Sequence, residues 1–392
     1  VSARSGDLRR AGDLRRALDL CRARVCSGKF SGLSNQIKVC RLPTGVSTFS
    51  DWAVAISCRV GWGESIQWNL GIAERTMRWD QPVGYAEPAY ARSLAAIGQP
   101  IALNDCGGWL LERSTNPVEA RGKLTGPAPH DACGPYPLFA CRDWSRLEAD
   151  LNPLADRLVA VSLVTDPWGD FDPASLAACF PDLWRKYKDH FVCDLTLSPD
   201  RAVSGHHARN ARAALRRVDV VWSDRPRDYE YEWLRLYGQL IARHDIQGWA
   251  AFDAESLSRQ LIVPGMCAAV AKHQGAVVGM TLWLVCRDVA YYHLAAYDPS
   301  GYETKASFAL FWSAWEFFAA RGIRWLSLGA GAGANPSACG LTRFKQGWST
   351  ATRPVYLCGR ILQRRQYQQL CDDRRVSAGT RFFPAYRSEA TS

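Results

Sequence analysis

Apolar residues recur along this chain with two different periods, and each change of period marks a change of element. The alternation is sharpest between residues 201 and 362. Residues 218–222 (Val-Asp-Val-Val-Trp) read as a strand. Residues 231–243 place Leu234, Tyr237, Leu240 and Ile241 on one helical face. A second helix is predicted around 254–261, ended by Pro264-Gly265. Strands are predicted at 267–271, 276–285 and 289–296. Their connections, His273-Gln274-Gly275 and Arg287-Asp288, are short enough for hairpins. A strongly apolar helix over 305–320 closes at Arg321-Gly322. Residues 325–328 form the next strand, 329–340 a glycine-rich loop, and 354–359 lie in a last strand.

The pattern is weaker upstream. Residues 158–164 (Leu-Val-Ala-Val-Ser-Leu-Val) are a continuous, β-branched run closed by Asp166-Pro167, as in a buried strand. Residues 109–111 and 191–195 are further strand candidates, and 115–137, rich in Pro and Gly, read as a long loop. A basic helix is predicted over 200–217. The chain therefore parses into a basic leader, 1–34, expected to be poorly ordered; an α/β unit, 35–197; a second α/β unit, 198–362; and a C-terminal tail, 363–392. A length of 392 residues agrees with two ordinary domains.

Composition changes this picture in three places. The net charge is +10, but residues 1–30 alone hold eight Arg or Lys against three Asp. The remainder is mildly basic, which argues against general nucleic-acid binding and leaves room for a local anionic-ligand site. The 14 cysteines are scattered from Cys21 to Cys371 with no C-x-x-C pair. They read as free thiols in a reducing cytoplasm, and no metal site is expected. No apolar stretch approaches the roughly 18–20 residues that span a bilayer.

The order from residue 218 is strand, two helices, three antiparallel strands, helix, strand, loop, strand. Four segments add detail: Arg209-Asn210-Ala211-Arg212 before the first strand, Tyr291-Tyr292-His293-Leu294-Ala295-Ala296-Tyr297, Ala306-Ser307-Phe308-Ala309-Leu310, and Gly340-Leu341-Thr342-Arg343-Phe344-Lys345. In this order they resemble the GNAT superfamily, and within it the Fem-type and cellulose-operon-type acyltransferases. The resemblance implies an α/β (α+β) fold, a GNAT-like mixed sheet flanked by helices, with two GNAT-like units in tandem. It implies transfer of an acyl group, acetyl by default, from acetyl-CoA or another acyl-CoA to an amine or hydroxyl. The acceptor is then a small molecule, a polysaccharide or a cell-envelope precursor. Two alternatives stand beside it: transfer from aminoacyl-tRNA, as in peptidoglycan bridge synthesis, and a GNAT-like binding module without catalysis.

The same resemblance places the donor where the strand at 291–297 splays from the strand at 325–328. The helix start after it, with Tyr302, Lys305, Ala306 and Ser307, would face the donor's phosphates. This segment departs from the usual GNAT phosphate loop, and an ordinary helix start with Thr304 as cap is the competing reading. His293 is the candidate base, because histidine titrates near neutrality. Strand alternation would put His293, Ala295 and Tyr297 on one face, and Asp298 is a further base candidate. A buried structural histidine and a turn aspartate are the competing readings. Arg209 and Arg212 on the basic helix, and Arg343 and Lys345 after the loop, are candidate contacts for an anionic substrate. Read as a strand, the last pair would share a face.

Overall fold

The computed structural model describes residues 56–60, 64–68, 84–116, 129–331, 340–377 and 379–388. The expected leader, 1–34, lies outside them. The chain divides into two compact units, 1–78 and 79–392. The described part of the first is an antiparallel hairpin, β1 (Ile56–Val60) with β2 (Glu64–Trp68).

In the second unit, eleven strands form one mixed sheet. They are β3 (Gln99–Leu103), β4 (Gly108–Ser114), β5 (His130–Cys133), β6 (Leu158–Val164), β7 (Leu183–Asp194), β8 (Asp219–Ser223), β9 (Met266–His273), β10 (Ala276–Cys286), β11 (Val289–Tyr297), β12 (Trp325–Gly329) and β13 (Ala351–Ile361). Their order is β3-β4-β5-β6-β13-β7-β12-β11-β10-β9-β8. The segments 35–197 and 198–362 thus contribute to a single sheet. The last strand, β13, lies antiparallel between β6 and β7, and β7 is antiparallel to β12, so these two strands join the halves. β5 falls inside the stretch expected to be loop.

The helices that matter below are α1 (Pro88–Ser93), α2 (Gly205–Ala214), α3 (Glu230–His244), α4 (Ala254–Gln260), α5 (Pro299–Glu303), α6 (Ala306–Ala319), α7 (Gly340–Trp348) and α8 (Arg364–Asp373). On one face of the sheet, Trp233, Leu236 and Tyr237 of α3 and Leu257 of α4 pack with Met280, Leu282 and Leu284. On the other face, Ala306, Ala309 and Leu310 of α6 pack with Ala269, Ala271 and Val278. α6 is apolar almost all round, the composition of a helix buried on most sides. Phe311 and Phe318 both meet the Trp283 ring. Each such aromatic contributes about 1.5–3 kcal/mol on burial, well above the roughly 0–1 kcal/mol of a surface ion pair. Packing therefore sets the rotation of α6, and with it where its N-terminus points.

The expected C-terminal tail is part of the fold. α8 packs near β6 through Leu370, with Tyr386 buried beside it. Tyr386 and Arg387 both reach the fully buried Asp131, Arg387 Nη2 at 2.8 Å and Tyr386 Oη at 3.0 Å, and Arg113 completes the cluster at 3.1 Å. Removing one partner of such a buried cluster costs about 3–5 kcal/mol.

Candidate active site

β11 and β12 run parallel and pair at Val289–Trp325, Ala290–Leu326 and Tyr291–Ser327, where their pairing ends. Each strand then follows its other neighbour. β11 stays paired with β10 as far as Gly279–Tyr297, and β12 stays paired with β7 as far as Gly329–Phe191. From Tyr292 onward the ladder to β12 is missing, so the β11 edge offers backbone N–H and C=O groups to whatever fills the gap.

α7 places one charged side chain at the start of this gap. Phe344 and Trp348, four residues apart on one face of α7, pack against Phe311 of α6. His207 of α2 fixes α7 further: its Nε2–H donates to the Phe344 carbonyl at 2.9 Å while Nδ1 accepts from the Ser204 hydroxyl at 2.9 Å. Gly347 is required here, because a Cβ would collide with the His207 ring. Held this way, Lys345 is 7% exposed. Its Nζ donates to the Ala330 carbonyl at 2.7 Å and lies 5.7 Å from the Tyr292 ring centroid. Gly329, at φ +71°, turns the chain out of β12 beside that ammonium. Arg343 is exposed. The expectation that Arg343 and Lys345 share a face is corrected: the segment is a helix, and two positions apart on a helix lie about 200° apart.

β7 brings two groups that the sequence pattern does not single out. Lys188 Nζ donates to the Gly331 carbonyl at 3.4 Å. His190, two residues on, is buried, and its Nδ1 has no hydrogen-bond partner. Burial, with Lys345 and Lys188 nearby, pushes His190 down to about 3, so it is a neutral imidazole at physiological pH. The Tyr297 hydroxyl and Thr342 Oγ1 are also buried without partners in bonding geometry. The polar group acting on Tyr297 is the Tyr292 phenol. Desolvation, reinforced by Tyr292, raises Tyr297 well above the ordinary tyrosine value.

His293 lies elsewhere. The β10–β11 register shifts between Leu282 and Trp283, so Leu282 faces Leu294, Trp283 faces Tyr292, and His293 is the extra residue of a bulge. The bulge breaks the expected alternation. Tyr292 and Tyr297 turn towards α6, while His293 turns the other way. There His293 Nε2–H donates to Gln260 Oε1 at 3.0 Å and Nδ1 accepts from the Tyr85 hydroxyl at 3.2 Å. The Tyr90 ring stands edge-on at 5.5 Å. Burial pushes His293 down to about 3. Both ring nitrogens are satisfied on the face away from Lys345.

Asp298 caps α5 by accepting the Gly301 N–H at 2.9 Å, and it pairs with Arg235 at 3.4 Å. Lys305 takes a left-handed conformation (φ +59°) between α5 and α6 and donates to Asn210 Oδ1 of α2 at 2.8 Å. Ala306 is buried and Ser307 half-buried at the start of α6. Tyr302 turns to α3, where the Arg243 guanidinium lies 4.1 Å over its ring. On α2, Arg209 is exposed, and Arg212 pairs with Asp200 at 2.7 Å. The structure therefore gathers Lys345 and Tyr292 at the gap, and Lys305, Ala306, Ser307 and Asn210 at the start of α6. It leaves His293, Asp298 and Arg343 out of both groups.

The acetyltransferase (GNAT) domain family matches residues 203–346, the segment that contains the gap, α6 and α7. That segment is similar to the GNAT acetyltransferase domain. Two solved structures share the fold around it. FemX, at 12% identity and a TM-score of 0.52, matches over 72% of this chain and 93% of its own. The C-terminal DUF2156 domain of an Agrobacterium fabrum protein described as a lysylphosphatidylglycerol synthetase matches at 15% identity and a TM-score of 0.50. That match covers 78% of this chain and 95% of the other. No curated protein matches the chain. Among the described residues that segment and its surroundings hold no cluster of His, Cys, Asp or Glu fit for a metal, and no helix is long and apolar enough to cross a membrane.

Proposed function

We propose that this protein is an acyltransferase that holds its acyl donor in the gap between β11 and β12. It passes the acyl group to an amine or hydroxyl of a small molecule or cell-envelope precursor in the cytoplasm. The observation that carries this reading is the end of pairing at Tyr291–Ser327 with the buried Lys345 ammonium beside it. An acyl-CoA donor fits the open edge of β11, because the amides of its arm can pair with the strand as an added strand would. Its phosphates suit the start of α6, where Lys305 adds a full charge and the backbone N–H groups of Ala306 and Ser307 add donors.

In this reading Lys345 polarises the donor carbonyl and stabilises the negative charge that develops on its oxygen. The acceptor nitrogen or oxygen bonds to the carbonyl carbon as the bond to the leaving group breaks, and the proton it releases to water replaces the one that Tyr297 gives to the leaving group. Tyr297, kept protonated by burial, is the proton source for the leaving group, acting through its neighbour Tyr292. His293 and Asp298 keep the architecture: one satisfies Tyr85 and Gln260, the other caps α5.

A second reading, transfer from aminoacyl-tRNA, draws on a separate observation. The exposed Arg209 of α2 and its neighbour Asn210 adjoin the start of α6 through the Asn210–Lys305 bond. That gives a larger anion a longer basic surface. Melting curves separate the two readings. A donor at 100 times its Kd adds about 2.7 kcal/mol. Stabilisation by acetyl-CoA supports the first; stabilisation by aminoacyl-tRNA alone, lost steeply with salt, supports the second. A protein stabilised by neither is a binding module without a donor site.

A further inference from the structure

A second cavity, of about 130 Å³, opens at the opposite end of β11. It lies where the tight β10–β11 turn meets residues 84–86, 140–144 and 166–170. Tyr291, the last residue of β11 paired to β12, lines it from the face opposite Tyr292 and Lys345. The cavity is therefore separated from the acyl-transfer gap by the sheet.

Asp166 lines this cavity. Its Oδ1 accepts the Trp168 N–H at 2.9 Å, and the Tyr291 hydroxyl lies 2.9 Å from both carboxylate oxygens. Asp166 is nonetheless poorly compensated: desolvation raises it to about 6 even with Arg287 and Arg353 acting against the shift. Arg142 and Arg287 also line the cavity, and both are exposed at its rim. Among the described residues, neither guanidinium forms an ion pair with Asp166 or with the other lining carboxylates, Asp170 and Asp288. Charges of both signs thus face one small space without forming an ion pair. Trp144 and Trp168 supply aromatic surface, which accepts both apolar groups and cations.

We propose that this cavity binds a small zwitterion of amino-acid size, with its ammonium towards Asp166 and its carboxylate towards Arg142 and Arg287. The volume is below the roughly 300 Å³ at which pockets for larger organic ligands begin, which restricts the ligand to a small metabolite. A simple amine leaves the two guanidiniums, which pair with neither Asp170 nor Asp288, without an ion-pair partner. A neutral sugar leaves the Asp166 charge uncompensated. A free amino acid answers both with charge-assisted hydrogen bonds.

This site does not depend on the acyl-transfer reading, and its test involves no turnover. The twenty free amino acids are screened against the full chain by thermal shift and then by isothermal titration calorimetry, beside their N-acetyl and carboxamide derivatives and a set of monosaccharides. At least one free amino acid is expected to raise Tm in a saturable way. Its N-acetyl and carboxamide derivatives are expected to bind at least about tenfold more weakly, since each lacks one of the two charges. Asp166→Asn and Arg287→Ala should each weaken binding by a similar factor. Arg287 sits on an exposed turn, so its variant tests the site even if the Asp166 variant unfolds. Absence of binding by every amino acid, equal binding of the blocked derivatives, or binding of a monosaccharide instead would overturn the proposal.

Discussion

The two faces of β11 differ in how their titratable side chains are held. On the face towards α1 and α4, Tyr291 bonds to Asp166, and His293 bonds to Tyr85 and Gln260. On the face towards α6 and α7, Thr342 Oγ1 and His190 Nδ1 of the neighbouring β7 are buried without partners, and the Tyr297 hydroxyl has only the Tyr292 phenol beside it, outside bonding geometry. A buried polar group without a partner costs about 1–3 kcal/mol, so native proteins keep few of them. The unpaired edge of β11 on that side is where the donor is proposed to lie. The other face is not free of such atoms, since Gln260 Nε2, Trp168 Nε1 and Trp233 Nε1 lack partners there, but its Asp166 and both ring nitrogens of His293 are hydrogen-bonded. The comparison separates two histidines that look alike by burial: His293 is hydrogen-bonded at both ring nitrogens, while His190 Nδ1 has no partner.

Four variants test this asymmetry. The largest effect is expected for Lys345→Met, which keeps the stem and removes the ammonium. Turnover should fall by about 10²–10³-fold, the usual loss for one group that stabilises a developing oxyanion. Tm should stay near that of the parent, because replacing a buried charge by an apolar group is often neutral or better. Full activity in this variant would refute its role.

Asp166 probes the opposite face through pH. Its folded value, about 6, lies above the roughly 3.9 of an unfolded aspartate. Between about pH 4 and pH 6 the folded state therefore holds a proton that the unfolded state has lost, and stability falls as pH rises through that window. Asp166→Asn removes the slope. Relative to the parent, the variant should gain up to about 3 kcal/mol between pH 4 and pH 7 in urea titrations. A pH-independent difference would show that Asp166 is well compensated.

His293→Gln comes next. It should cost about 1–3 kcal/mol, because Tyr85 or Gln260 loses its partner, with turnover of the surviving folded protein unchanged. A hundredfold drop in turnover at an unchanged Tm would reverse the assignment of the two faces. The smallest effect is expected for Arg343→Ala. Exposed on α7, it should change stability by no more than about 0.5 kcal/mol, and equal losses from Arg343→Ala and Lys345→Met would restore the face-sharing expectation.

Much of the second half was legible from hydrophobic period alone. The strands at 276–285 and 289–296 and the helix at 305–320 match β10, β11 and α6 to within one residue at either end. These elements are buried on nearly every side, so composition and period agree. The site was less legible, for two local reasons. One extra residue at His293 inverts the alternation after it, and nothing in Tyr-Tyr-His-Leu-Ala announces a bulge. Alternation of Arg343 and Lys345 suggests an extended segment from Gly340, although Phe344 and Trp348 stand four residues apart, as on a helix. Lys188 and His190 were missed because β7 was expected only from residue 191. Its first half, Leu-Trp-Arg-Lys-Tyr-Lys-Asp, carries too many charges to look like a strand joining two halves of a sheet.

The central claim is that the donor completes the open edge of β11, and hydrogen–deuterium exchange tests it without knowledge of the acceptor. The chain is labelled alone, with acetyl-CoA, and with aminoacyl-tRNA. A donor that binds is expected to slow exchange of the amides at 292–297 and 328–331, and of those at 305–307, while amides at 289–291, already paired, change little. A donor that binds tightly yet leaves residues 292–297 exchanging at their free rate would contradict it.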